Sequence, residues 1–213
     1  MTKNKKLLFF TLLLAIACIL FFRFTAKETY SDFNRTAKDN PARSTTVMSG
    51  ETYPVDNVRF KPGYYDLTVT SGQITIQSVR LEKGDHFVGV SFYGGNKVNV
   101  SGKGTASLAP AQFKKLPLVN HRYLIRHQSG YYQAGKEIEA GNYQLKVTNK
   151  KGTPFYLFVQ VTDPKSANGG RSFDLSHKKS TASFALKKGQ ILELLNWSKE
   201  STDLTLSLTL QHD

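Results

Sequence analysis

The chain writes one phrase twice. Residues 59–72 read RFKPGYYDLTVTSG, and residues 137–150 read EIEAGNYQLKVTNK, at a constant offset of 78. In each copy a glycine (Gly63, Gly141) precedes three alternating apolar positions. These are Tyr65, Leu67 and Val69 in the first copy and Tyr143, Leu145 and Val147 in the second. Strict alternation is the signature of a half-buried strand, because successive strand side chains point to opposite faces. A duplicated glycine–strand unit therefore predicts two related β-modules. Tyr53 and Phe60 find their counterparts in Tyr131 and Ile138 at the same offset.

Further on, VRLEKGD (79–85) answers FALKKGQ (184–190), now at an offset of 105. The second copy thus holds about 27 extra residues, and DPKSANGGRSFDLSHKKS (163–180) is the expected place for them. Gly63 and Gly141, and the turn glycines Gly84 and Gly189, are expected to supply backbone angles or approaches that other residues avoid. The final run, Leu204, Leu206, Leu208 and Leu210 interleaved with Thr205, Ser207 and Thr209, is apolar on one face and hydroxyl on the other. Many short strands punctuated by Gly, Asn and Lys predict antiparallel sandwiches or barrels.

The N-terminus follows a different pattern. After Lys3, Lys5 and Lys6, residues 7–22 contain only Thr11 as a polar residue. The run is short for a spanning helix and long for a cleaved leader. An uncleaved signal-anchor over 7–24 is the first reading; cleavage after Ala17 and lipidation at Cys18 are the alternatives. The basic flank keeps residues 1–6 in the cytoplasm and puts the rest outside the cell membrane. Cys18 is the only cysteine, so the chain has no internal disulfide and no paired-cysteine metal site.

Residues 25–50 have few apolar positions and read as a flexible tether, with a reach of about 25–31 Å. The expected organisation is then a first β-module over 51–113, a basic connector over 114–127 and a second module over 128–213. The fold class is mainly β: two tandem antiparallel β-sandwich, jelly-roll-like modules after one N-terminal transmembrane helix.

Three of the 29 Lys and Arg precede the apolar run and none of the 16 acids does, so the remainder carries +10. A basic surface favours anionic partners such as phosphate-bearing wall polymer or lipid headgroups. The candidate contacts are Arg59, Lys61 and Tyr64 in the first copy, Tyr132 and Lys136 in the second, and Arg122 and Arg126 in the connector. Tyrosines beside cations can stack on sugars or bases. No recognition helix or RNA-binding signature points to nucleic acid.

No catalytic pattern stands out. The histidines make no metal-protease or zinc-finger spacing. There is no Gly-x-Ser-x-Gly elbow and no phosphate-binding Gly-Lys-Ser/Thr loop. No cofactor and no catalytic residue is expected.

The stretch YYQAGKEIEAGNYQLKV (131–147) resembles a pattern in uncharacterised envelope proteins of Gram-positive bacteria. The pattern runs aromatic, Gly-Lys-acid-Ile, Ala-Gly-x-Tyr and a strand, then a later Leu-x-x-Gly-Asp turn. The second copy departs at Gln190, and the first replaces the Gly-Lys-acid part with VDNVRF. The layout also resembles jelly-roll modules appended to secreted hydrolases. The resemblance implies a β-sandwich and an extracytoplasmic address, and transfers no catalytic residue. The function expected is non-catalytic: binding or organising an anionic envelope component. The alternatives are an accessory subunit that contacts another envelope protein in a membrane assembly, and an enzyme with an unrecognised site.

Overall fold

The computed structural model describes residues 34–56, 58–164, 170–199 and 202–211. The expected anchor and the first part of the tether lie outside them. Among the described residues the chain is mainly β, without a helix long and apolar enough to cross a membrane.

The first copy supplies β1 (Thr45–Met48), β2 (Thr52–Pro54), β3 (Gly63–Ile76), β4 (Val79–Glu82), β5 (His86–Phe92), β6 (Lys97–Asn99) and β7 (Ser101–Pro110). The second supplies β8 (Arg122–Arg126), β9 (Gln128–Gln133), β10 (Gly141–Asn149), β11 (Tyr156–Thr162), β12 (Arg171–Ser176), β13 (Thr181–Leu186), β14 (Ile191–Asn196) and β15 (Leu204–Gln211).

The alternation in each repeated strand buries its Tyr, Leu and Val and exposes or half-exposes what lies between. Pairing repeats as well. β7 beside β3 matches β15 beside β10; on the other side β3 takes β5 and, further along, β4, where β10 takes β13. Leu67 faces Leu108 in one copy and Leu145 faces Leu208 in the other. The extra residues of the second copy appear as the β11–β12 hairpin between β10 and β13, which begins earlier than the expected 163–180.

Two boundaries need correction. Part of the expected tether is β1, which pairs with β7 and buries Val47. Part of the expected connector is β8, which pairs with β15 and buries Tyr123 and Ile125. These are corresponding first strands, one per copy. Each has only four or five residues, so its alternation is too brief to stand out from a polar background.

Among the described residues there are two apolar cores, one centred on each copy. The second lies between the four-stranded sheet β13-β10-β15-β8 and the β9-β14-β11-β12 half of a nine-stranded sheet. That large sheet also contains β1, β7, β3, β4 and β5, so it runs through both copies. The joint is a parallel pairing of β5 with β9, His86 opposite Gln128 through Val88 opposite Gly130. A purely antiparallel pair of modules is therefore also corrected. The central strand β14 is buried on both sides, with Leu194 in the second core and Leu195 in the first. Two units that share a sheet and a strand's two faces cannot separate without exposing apolar surface, at roughly 25 cal/mol per Å².

Candidate functional site

The repeated phrase is explained by its hydrogen bonds. The Tyr65 hydroxyl donates to the Lys61 carbonyl at 2.6 Å, and the Tyr143 hydroxyl donates to the Glu139 carbonyl at 2.8 Å. Each buried ring thus ties down the turn four residues upstream. The Lys-Gly turns match likewise. The Asp85 carboxylate accepts from the Glu82 N–H at 2.8 Å, and the Gln190 amide oxygen accepts from the Lys187 N–H at 2.8 Å. Gln190 therefore performs the turn-closing role of the aspartate it replaces. Gly84 and Gly189 stand at φ of 91° and 90°, in the left-handed region that glycine enters without strain.

The expected contact residues separate. Arg59 and Lys136 are exposed in corresponding turns before β3 and β10. Lys61 is half-buried, and its carbonyl is taken by Tyr65. Tyr64 is half-buried against Phe113, ring centroids 5.4 Å apart, with the Arg35 guanidinium over its ring. Tyr132 is a correction: it is buried in the second core, and its hydroxyl accepts from the Gln128 amide at 2.7 Å. It faces inward because β9 is covered on that side by the four-stranded sheet.

Arg122 and Arg126 do share a surface. They point outward from β8 while Tyr123 and Ile125 point in. The strand register lays out the rest of the face. Arg122 lies across from Thr209, which lies across from Gln144 and then Ser183. Leu124 lies across from Ser207, then Lys146, then Thr181. Arg126 lies across from Thr205, then Thr148. Strands lie about 4.8 Å apart and same-face residues about 6.8 Å along each strand. The outer face is thus a grid of hydroxyls with the Gln144 amide, the exposed Leu124 and three cations, and no carboxylate at any of these positions. Among the described residues, none of the three cations makes an ion pair.

No family model and no curated protein matches the chain. A solved structure described as the co-crystal structure of the regulatory domain of Toxoplasma gondii PKA with cAMP matches over 79% of this chain and 78% of that one, at 8% identity. Its TM-score is 0.23.

The sequence missed Lys146 and the hydroxyls as members of this face. A signal was present: the leucine/hydroxyl alternation of residues 204–210 announces a polar outer face. Which strands flank it is a matter of register, which one strand's sequence does not carry.

Ionisable groups, several of them partly buried, lie near the seam between copies. Burial raises the Asp85 carboxyl above the ordinary carboxylate value; the Glu82 N–H and the nearby His127 oppose that rise. His127 lies 3.4 Å from Asp85 and 3.7 Å from Asp203 of the second copy, bridging the two. Glu193 is likewise raised by burial, with the Thr162 hydroxyl opposing. Among the described residues no cluster of His, Cys, Asp or Glu has metal-binding geometry.

Proposed function

We propose that this is a membrane-tethered extracytoplasmic protein whose two fused β-sandwich, jelly-roll-like modules bind an anionic envelope polymer without chemical turnover. The observation that carries the reading is the carboxylate-free outer face of the four-stranded sheet, with Arg122, Arg126 and Lys146 among hydroxyls and the Gln144 amide. Its chemistry suits a phosphate-bearing polyol or sugar chain. The cations meet the phosphates, and Ser, Thr and Gln side chains meet the hydroxyls between them. A flat, regular sheet face suits an extended, repetitive ligand better than a compact one. The apolar run behind the basic N-terminus supports a membrane address, with the modules outside.

The test is co-sedimentation of the full chain, in a neutral detergent, with purified cell walls before and after their anionic polymer is removed. Binding that vanishes with the polymer and weakens with salt is the expected result. Equal binding to stripped walls, or no binding at low salt, overturns the reading.

A further inference from the structure

A second surface has a different chemistry. A cleft of about 660 Å³ opens between the tip of the β3–β4 hairpin and strands β5 and β6. Its wall carries amides (Gln77, Asn96, Asn99), serine and threonine hydroxyls, and the rings of Tyr93 and Tyr131. Lys97 is the one charged residue among the lining positions. Tyr131 comes from β9 of the second copy, so the cleft is complete only because the two copies share a sheet. The Tyr131 phenol carries its proton at neutral pH, as an ordinary phenol does, and burial raises it further.

The hairpin tip is the unusual element. Ile76 pairs with Val79, leaving a two-residue loop of Gln77 and Ser78 with φ of 47° and 63°. Such a loop favours Asn-Gly or Gly-Gly, which enter the left-handed region easily. Here both positions hold residues that are strained there, and both line the cleft. The Gln77 amide donates to the Ser91 carbonyl at 3.2 Å, which fixes the side chain against the cleft wall. Strain of this kind persists where the side chains serve a purpose that turn-forming residues would not.

We propose that this cleft binds an uncharged pyranose unit of a glycan, one bearing hydroxyl and acetamido groups. Side-chain amides and hydroxyls both donate and accept, as such a ligand requires. The Tyr93 ring suits the apolar C–H face of the sugar, while Tyr131, its ring stacked on Phe87 at 5.8 Å, backs the wall. One lysine is too little charge for a polyphosphate, so this site is independent of the cationic sheet face.

The test uses the full chain in a non-glycosidic neutral detergent, titrated with chitotetraose and followed by calorimetry at low and high salt. Saccharide binding that is insensitive to salt is expected. Gln77→Gly should weaken it roughly tenfold, the worth of about one hydrogen bond, while leaving wall-polymer binding and thermal stability intact or improved. Tyr93→Ala should weaken it as well. Absence of saccharide binding by the folded chain overturns the proposal. So does binding unchanged in both variants, or binding lost in Arg122→Ala/Arg126→Ala instead. Failure of the polymer reading would leave this titration unaffected.

Discussion

Arg35 reaches Glu137 across 102 residues and grips it with two hydrogen bonds, Nε to Oε2 at 3.0 Å and Nη2 to Oε1 at 3.1 Å. The same guanidinium donates to the Gly89 carbonyl at 3.2 Å and to the Tyr131 carbonyl, and it packs over the rings of Tyr64 and Phe113. Glu137 is the acid of the Gly-Lys-acid-Ile motif, and it also accepts from the Gln133 N–H at 2.8 Å. Arg35 therefore pins the segment before β1 to both copies at once. Residues 34–50 are part of the folded body, and the reach expected for a free tether does not apply to them.

This pair is nearly buried, the two side chains 10% and 5% exposed. Removing one partner strands a charge, so Arg35→Ala or Glu137→Ala should each cost roughly 3–5 kcal/mol in denaturant unfolding. Removing both with apolar substitutes, Arg35→Met with Glu137→Leu, should cost less than the sum of Arg35→Met and Glu137→Leu made singly. A strictly additive double mutant would show that the pair is not coupled.

The glycines of the repeated phrase should differ in tolerance. A Cβ on Gly63 would lie 2.7 Å from the Ala42 nitrogen and the Asn40 Oδ1, at a φ of 146°. Backbone must move, so Gly63→Ala should cost roughly 2–4 kcal/mol. A Cβ on Gly141 meets the tip of Leu210 at 2.5 Å, and that side chain can turn away, which leaves the φ of 158° as the main strain. About 1 kcal/mol is expected there. Gly84→Ala has open space and only its left-handed φ to strain it, at about 1–2 kcal/mol. Thermal melts of the three variants check the order.

Burial raises the phenols of Tyr131, Tyr132 and Tyr143 above the ordinary 10.0. Each keeps its proton in the folded chain and loses it in the unfolded one once the pH passes that value. Stability from these groups is therefore full below pH 10 and falls as pH rises further. Absorbance titration should show these tyrosines ionising only together with alkaline unfolding. Early ionisation of all ten tyrosines, before loss of structure, would contradict this.

The raised carboxyls act in the same direction at lower pH. Asp85 and Glu193 hold protons more tightly when folded, so their contribution is largest below the ordinary carboxylate range and is lost as pH rises through their folded values. Glu193→Gln removes the cost of an ionised group in a buried site. It should raise stability at neutral pH and flatten its dependence between neutral and acid conditions, as read by denaturant midpoints.

Replacing Arg122, Arg126 and Lys146 together by Ala should weaken polymer binding at low salt by roughly tenfold or more, about 1.4 kcal/mol. The salt dependence should fall with it, and stability should hold within about 0.5 kcal/mol, because all three side chains are exposed. Retained binding with an unchanged salt slope would place the polymer elsewhere.

Much of this was legible in the residues. The period-two alternation and the repeated glycine–tyrosine phrase determined that the chain is mainly β and duplicated, because those signals are local: a strand's side chains alternate wherever it pairs. The hydroxyl face of residues 204–210 was local as well. What the tertiary structure decided depended on pairing. Whether Tyr132 faces in or out rests on which sheet covers β9. Arg35 counts as a keystone only because Gly89, Tyr131 and Glu137 converge on it, and Gln77 and Ser78 meet Tyr131 only across the β5–β9 joint. Strand register and the hand of a joint are set by contacts between segments far apart in the chain, and no stretch of sequence records them by itself.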